Sequence, residues 1–208
     1  NYHSLQNPEN KETFSPVTLP ASRFGISNLK DNDKPLPAFI LRHALDRLEE
    51  RLGCLEFGYA SAQIIESLLY GKAYPQSKTK FLVEYHIEKV KAGYLQVDVL
   101  EEVILIRTFL FLTNSSTPEG KKLREHLGLH KEDIKYFNID KLSPLMETDL
   151  LVDEDMCNKL REAGCESLIE LCEVVKESPY WNYSEEKKEL AAKLRKYMME
   201  GEEPDGVI

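Results

Sequence analysis

The segment Asp98–Leu112, DVLEEVILIRTFLFL, is the most apolar part of the chain. Asp98 and Glu101 have the spacing of a helix capping box, although aspartate replaces the usual serine or threonine. The apolar side chains that follow cover nearly every face of a helical wheel, which is typical of a helix buried on all sides. We therefore expect a central buried helix here. A buried strand pair around Val103–Ile106 is the alternative, but the length of the segment and its cap favour a helix.

Before this segment, apolar residues recur at spacings of three and four, which is the period of an amphipathic helix. The pattern predicts three helices, over residues 37–52, 60–70 and 77–93. A glycine lies at or just after the end of each one, where a residue in the left-handed conformation commonly terminates a helix. These glycines are Gly53, Gly71 and Gly93.

After the segment, the pattern predicts several short helices. Thr117 followed by Pro118 is typical of a helix start, and Gly128 is placed to end that helix. Four more helices are expected, over residues 131–137, 153–164 and 167–177 and from Ser184 onward. No strand with clean alternation and no repeat of fixed period is found in the sequence. We therefore predict an all-α fold, an irregular multi-helix bundle of about nine helices with an extended N-terminal arm.

Three parts are expected along the chain: an extended arm over residues 1–36, a main helical bundle over 37–138 and an acidic helical subdomain over 139–208. The last two are either separate units or one continuous domain, 37–208. The arm contains four prolines and lacks apolar periodicity, so we expect it to lie along the body or across a partner. Its spaced apolar residues are candidates for binding that partner. They are Phe14, Leu19, Phe24, Ile26 and Leu29.

Composition excludes several classes of protein. The chain has 208 residues, of which 42% are hydrophobic and 30% charged, a balance typical of globular proteins. Its longest uncharged apolar run is far shorter than the roughly 20 residues that cross a bilayer, so we expect no membrane association. The four cysteines include no CxxC pair and are expected to be free thiols, which suit a reducing compartment. The prediction is an intracellular protein of the cytoplasm or nucleus.

The formal charge of −9 is concentrated near the C-terminus. Residues 131–208 contain 20 acidic and 11 basic residues, and this difference of −9 equals the charge of the whole chain. Because an acidic surface repels phosphate groups, duplex nucleic acid is disfavoured as a ligand. The same charge favours a basic protein partner.

Local motifs for catalysis or metal binding are absent from the sequence. It has no glycine-rich phosphate loop, no HExxH zinc motif, no GxSxG nucleophile elbow and no EF-hand loop. His126 and His130 have the separation of two zinc ligands on one helix, but Gly128 lies between them and ends that helix. We therefore expect no catalytic residues, cofactor or metal, except where groups from distant helices form a site together.

These observations favour a non-enzymatic helical scaffold or adaptor that binds protein partners, as a peptide or helix in an apolar groove, within an intracellular complex. The surplus of large apolar residues is also compatible with a homodimer. One alternative is an enzyme whose dispersed site uses His43, His86 or Cys54. The other is a module that binds single-stranded nucleic acid through the lysines and tyrosines of residues 70–94.

Overall fold

Seven β-strands and six α-helices make up the part of the chain that the computed structural model describes, namely residues 2–4, 17–26, 34–128, 139–147 and 154–180. The strands are β1 (Tyr2–Ser4), β2 (Thr18–Pro20), β3 (Pro35–Leu41), β4 (Ala73–Pro75), β5 (Lys80–Ile87), β6 (Val90–Val99) and β7 (Ile104–Phe111). The helices are α1 (Arg42–Leu52), α2 (Phe57–Tyr70), α3 (Pro118–Leu127), α4 (Leu142–Glu147), α5 (Glu154–Glu162) and α6 (Ser167–Glu177). A short 3-10 helix, Ala21–Phe24, follows β2.

The seven strands form one mixed sheet, in the order β1–β3–β7–β6–β5–β4, with β2 paired to the first part of β3. Strands β3 and β7 run parallel, whereas the other pairs are antiparallel. The sheet is curled into a half-barrel. Phe24, just after β2, packs against Phe81 of β5 with the ring centres 5.4 Å apart. The segment after β2 therefore reaches across the curl from β3 to β5.

The fold is mixed α and β, so the prediction of an all-α bundle of nine helices is wrong. The segment Asp98–Leu112, expected to be a central helix, is the end of β6, a turn and β7. The helix expected over residues 77–93 is instead β5, a turn and the start of β6. Both segments are rich in β-branched and aromatic residues, which fit a pleated sheet. The strand alternative for Val103–Ile106 was the better interpretation.

Burial on both faces of the sheet explains why these strands resembled helices. Phe81, Val83 and Tyr85 of β5 are buried, and Leu82 between them is buried as well. A strand covered on both sides loses the alternation of apolar and polar residues that identifies a half-exposed strand. Periodicity alone does not separate such a strand from a buried helix.

The turns between these strands also lack the glycine or asparagine that usually marks a hairpin. Glu88 and Lys89 join β5 to β6, and their φ angles are 49° and 72°. Residues other than glycine and asparagine seldom occupy this left-handed region. Gly93, expected to end a helix, lies inside β6, where an added Cβ would collide with the carbonyl oxygen of Leu110.

Both of the helices predicted before residue 77 are present. Helix α2 contains the expected range 60–70, and α1 ends at Leu52 as expected. Helix α1 begins at Arg42, five residues later than predicted, because β3 precedes it. Alternate residues of β3, Leu36, Ala38 and Ile40, are buried, which is the pattern of a strand.

The helix predicted from Thr117 is confirmed, together with both of its ends. The hydroxyl of Thr117 accepts a hydrogen bond from the backbone N–H of Gly120 at 3.0 Å, and Gly128 is left-handed with a φ of 63°. Helices α5 and α6 correspond to the predictions for 153–164 and 167–177. The helices expected over 131–137 and from Ser184 lie outside the described residues.

The core lies between the sheet and the helices that pack on it. Helix α1 packs against β7, α2 against β5 and α6 against β6. Tyr85 is fully buried beneath α2, and its hydroxyl donates a hydrogen bond to the carbonyl oxygen of Ala60 at 2.6 Å. Among the described helices, none is long and apolar enough to cross a membrane.

Candidate functional site

An open cavity of about 200 Å³ lies between the C-terminal half of α2 and the turn that joins β5 to β6. We call it the α2 pocket. Most of its lining residues are polar, and one wall carries a large aromatic ring. The lining residues are Gln63, Glu66, Ser67, Tyr70, Gly71, His86 and Lys89.

One wall of the α2 pocket is a stripe along α2. Gln63, Glu66 and Tyr70 are separated by three and four residues, so they lie on the same side of the helix. Tyr70 is 81% exposed, the largest value among the exposed large hydrophobic residues of the described chain. An aromatic ring with this degree of exposure is available for contact with another molecule.

The base of the pocket joins α2 to the sheet. The hydroxyl oxygen of Ser67 accepts a hydrogen bond from the backbone N–H of His86 at 3.0 Å, and Ser67 is buried. Gly71 lets the chain leave α2 close to β5, because an added Cβ there would collide with the carbonyl oxygen of Glu84. These two contacts hold the helix end and the strand at a set distance. The pocket is therefore built into the fold.

The opposite wall is the hairpin turn, where Lys89 faces the pocket. Its left-handed φ, like that of Glu88 beside it, is a conformation that costs a residue with a side chain about 1 kcal/mol or more. The carboxylate of Glu88 accepts a hydrogen bond from the Tyr59 hydroxyl, which ties the turn to α2. The strained turn therefore forms one wall of the pocket.

Four lining residues have polar groups without a partner in the described part of the chain. Gln63, Glu66, Tyr70 and Lys89 make no side-chain hydrogen bond or ion pair with the residues described. Such groups are solvated when the protein is alone and can bind a ligand without losing an internal contact. These four side chains are therefore available for contact with another molecule.

A second polar cluster lies beside the pocket, and its groups are mutually satisfied. We call it the Glu119 network; it consists of Tyr74, Glu84, Lys91, Tyr94 and Glu119. The carboxylate of Glu119 accepts hydrogen bonds from Lys91 at 2.6 Å and from the Tyr94 hydroxyl at 2.9 Å. Lys91 also lies 3.6 Å from the Glu84 carboxylate, which accepts a hydrogen bond from Tyr74 at 2.9 Å.

A β-bulge and a helix start bring the Glu119 network together. Lys91 and Tyr94 are three residues apart and would lie on opposite faces of a regular strand. The register between β5 and β6 shifts at Tyr85/His86, so both side chains reach the same face. The Thr117 cap places Glu119 in the first turn of α3, where the helix dipole favours a carboxylate.

The network keeps its lysine and tyrosines protonated. Burial alone would lower the pKa of Lys91, but its hydrogen bond to Glu119 and the charges of Glu119 and Glu84 raise it. Burial, together with the Glu84 hydrogen bond, raises the pKa of Tyr74 to about 12. Burial and Glu119 likewise raise the pKa of Tyr94. At neutral pH these groups act as hydrogen-bond donors and are poor bases.

The two polar clusters meet at one pair of side chains. The Glu84 carboxylate of the network lies 3.8 Å from Nε2 of His86, which lines the α2 pocket. His86, one of the three residues suggested for a dispersed active site, is thus in the pocket. His43 is exposed on α1 and Cys54 is buried, and neither lines the cavity.

The described cysteines are all free and buried. Burial raises the pKa of the Cys165 and Cys172 thiols to about 12, so few of these thiols are ionised at neutral pH. Within the described ranges, no group of three histidine, cysteine or acidic side chains is arranged to hold a metal ion. His126 pairs with Glu162 at 2.8 Å, whereas His130 lies outside the described residues.

Two of the predicted partner-binding residues lie in the core of the chain itself. Leu19 is 4% exposed and Phe24 is 5% exposed, so neither is accessible in this conformation. Ile26 is partly buried against the same core, and Phe14 and Leu29 lie outside the described residues. The role predicted for these five residues stays a prediction.

Part of the segment 70–94 is buried in the described structure. Phe81, Tyr85 and Tyr94 are buried in the sheet, where bases cannot stack on them. Tyr70 and Lys89, however, belong to this segment and both line the α2 pocket. The nucleic-acid alternative for this segment stays a prediction. Sequence reasoning missed Gln63 and Glu66, because nothing local connects α2 to the turn.

Comparisons with protein-family models, with curated proteins and with solved structures find no match to this chain. No relative therefore suggests a ligand or a reaction. The function has to be inferred from the α2 pocket and the groups around it.

Proposed function

We propose that this chain is a protein-binding module that holds a segment of a partner protein at the α2 pocket. The observation that carries the proposal is Tyr70, which is 81% exposed at the edge of an open cavity. Tyrosines beside pockets are enriched among the residues that dominate the binding energy of protein interfaces. The partner-binding role predicted from the sequence is thus retained, but at a different place in the chain.

The size of the pocket supports a protein ligand. Its volume of about 200 Å³ is below the roughly 300–1,000 Å³ typical of sites for small molecules. It suits a single anchoring side chain, with the rest of the bound segment lying outside. The stripe on α2 continues from Tyr70 back to Tyr59, about 17 Å along the helix axis. Tyr59 stacks on Tyr180 with the ring centres 4.5 Å apart, which adds apolar surface at the far end.

The protonation states near the pocket favour binding over catalysis. A nucleophile or general base generally needs a pKa lowered toward neutrality or held near it. Here burial and the Glu88 hydrogen bond raise the pKa of Tyr59, and the pKa values of Lys91 and Tyr74 are also raised. These shifts move the groups away from reactivity at neutral pH. The unpartnered groups of the pocket are better suited to recognition.

Selection from a random peptide library displayed on phage tests the proposal. We expect the wild-type chain to enrich a peptide family whose binding falls about tenfold or more in the Tyr70→Ala variant. The matched control is Leu100→Ala. It removes another exposed large side chain, which directly follows β6 at the end of the strand farther from the α2 pocket. Both variants should stay within about 0.5 kcal/mol of the wild-type stability, because both side chains are exposed.

Two outcomes would contradict the proposal. One is that no peptide is enriched over repeated rounds of selection. The other is that the enriched peptides bind the Tyr70→Ala variant as tightly as the wild type, or lose affinity only in Leu100→Ala.

A further inference from the structure

We infer that Arg23 controls the α2 pocket as a positioning residue, because it holds the end of α2 that carries Tyr70. The inference rests on the proposed function and names what keeps one wall of the pocket in place. Three observations carry it. Helix α2 ends without a left-handed cap, Arg23 bonds to carbonyl groups on both sides of Tyr70, and the segment that contains Arg23 is anchored in the core.

Helix α2 lacks the left-handed residue that closes many helices. The last carbonyl groups of a helix have no partner within it, and a left-handed glycine commonly satisfies some of them. Gly128 has this conformation at the end of α3, whereas Gly71 after α2 is extended, with φ of −62° and ψ of 141°. The last turn of α2 also contains no basic side chain to interact with the negative end of the helix dipole. The end of α2 therefore needs groups from elsewhere in the chain.

Arg23 supplies these groups, although it lies 46 residues before Leu69 in the chain. Its Nε donates a hydrogen bond to the carbonyl oxygen of Leu69 at 2.8 Å, and its Nη2 donates one to the carbonyl oxygen of Gly71. One of these carbonyl groups precedes Tyr70 and the other follows it. A planar guanidinium group with several N–H donors can hold both at once, and its charge lies at the negative end of the dipole.

The position of Tyr70 depends on this backbone. Tyr70 is 81% exposed, so its ring has few contacts of its own to hold it. The direction of a side chain on a helix is set by the backbone of its turn. Four of the seven lining residues of the pocket lie within residues 66–71, which form the helix end that Arg23 bonds to. Movement of this end would therefore change the wall of the pocket.

The segment that contains Arg23 is fixed to the rest of the fold. We call residues 17–26 the strap. Its strand β2 pairs with β3, and the backbone N–H of Ala38 donates a hydrogen bond to the carbonyl oxygen of Val17 at 2.8 Å. Four side chains of the strap are buried, namely Val17, Leu19, Ala21 and Phe24. The strap therefore presents Arg23 to α2 from a fixed position.

A role confined to general stability would have a different consequence. If Arg23 only attached the strap to the body, its removal would weaken the whole fold evenly. The strap keeps its four buried side chains and its pairing with β3 when the guanidinium group is removed. We therefore expect the effect to be concentrated at the end of α2.

Native-state hydrogen exchange of the full chain, followed by NMR, tests the inference with Arg23→Met. This variant keeps the aliphatic stem and removes the donors. The amides of Tyr70 and Gly71 should lose protection about tenfold or more, because two hydrogen bonds from a charged group are removed. The amides of Ile64, within α2, and of Leu95, in β6, should change by no more than about twofold. The affinity of phage peptides that depend on Tyr70 should fall about fivefold or more.

Two further variants complete the test. Arg42→Met is the matched control, since Arg42 is exposed on α1, bonds to Asp46 at 2.8 Å and does not line the pocket. It should leave both measurements unchanged. Arg23→Lys keeps the charge, but an ammonium group has no fork to hold two carbonyl groups. It should fold and lose about threefold of the protection at Tyr70 and Gly71, and it decides the question if Arg23→Met does not fold.

Several results would overturn the inference. One is unchanged protection of Tyr70 and Gly71 in folded Arg23→Met, or in Arg23→Lys. Another is an equal loss at Ile64 and Leu95, which would show a general role in stability. A third is that peptides that depend on Tyr70 bind Arg23→Met as tightly as the wild type. The proposed function is decided separately, because a failed phage selection would remove it, whereas exchange is measured on the protein alone.

Discussion

The Glu119 network and the α2 pocket are neighbouring polar clusters that contain the same residue types and use them differently. In the network the side chains of Glu119 and Lys91 are 12% and 23% exposed and bonded to each other. In the pocket Glu66 and Lys89 are exposed and have no partner among the described residues. A buried charge without a partner is costly, so the network has to be closed. A solvated charge carries no such cost, so the side chains of the pocket can remain without an internal partner.

The largest effect should come from breaking the network at its lysine. Lys91→Met leaves Glu84 and Glu119 close together without their shared cation, and we expect a loss of about 3 kcal/mol in the free energy of unfolding. Urea denaturation measures this loss. Adding Glu119→Leu should restore part of it, because the uncompensated carboxylate is removed as well.

The control for this prediction is Lys121→Met, which removes an exposed lysine of α3 and should change stability by no more than about 0.5 kcal/mol. Equal losses in Lys91→Met and Lys121→Met would show that the network contributes little. The folded fraction of Lys91→Met should still bind pocket peptides, since the pocket does not depend on Lys91. Loss of that binding in folded protein would mean that the two clusters are coupled.

A smaller effect should come from alkaline pH. Lys91, Tyr74 and Tyr94 all have a pKa in the folded chain above their ordinary values of 10.5, 10.0 and 10.0. Folding therefore favours their protonated forms. The resulting stability is fully present below about pH 10 and is lost as the pH rises through the folded values.

Urea midpoints measured at intervals between about pH 8 and pH 11 check this dependence. The Tyr74→Phe variant, which has no hydroxyl to ionise, should lose less stability than the wild type over that interval. If both lose the same amount, Tyr74 is not part of the cause. Peptide binding at the pocket should not follow the same curve below pH 10, because Lys91, Tyr74 and Tyr94 do not line the pocket.

The smallest effect should be a gain in stability at the strained turn. Lys89→Gly places glycine where φ is 72°, and we expect about 0.5–1 kcal/mol more stability from the relief of strain. Binding of the peptides selected on phage should be retained, since Tyr70 and the rest of the stripe on α2 are unchanged. Thermal unfolding measures the first effect and NMR titration the second.

Lys78→Gly is the matched control for the turn, because Lys78 is exposed and its φ is not positive. This variant should be no more stable than the wild type. A Lys89→Gly variant that is equally or less stable than the wild type would show that the turn is not strained.

Parts of the candidate site could be predicted from the sequence, but their arrangement could not. The spacing of apolar residues predicted α2, and the segment 70–94 was recognised as a mixture of cations and aromatics. That segment includes Tyr70, His86 and Lys89. Nothing in the sequence indicates that Ser67 bonds to His86, or that Gly71 allows α2 to approach β5. Both contacts depend on a hairpin whose turn carries no turn-forming residue.

The sequence by itself determined both ends of α3. Thr117, Pro118 and Gly128 define α3 because capping depends on a few neighbouring residues. It also determined which side chains are apolar enough to be buried, such as Leu19 and Phe24, but not what covers them.

Only the tertiary structure decided that residues 80–111 form β5, β6 and β7 and not helices. Strand pairing joins residues far apart in the chain, and burial on both faces of the sheet hides the alternation that would reveal it. The same pairing places Lys91 beside Glu119 and His86 beside Ser67. The sheet therefore decides which polar groups are bonded to each other in the Glu119 network and which remain solvated in the α2 pocket, because the partners come from other elements.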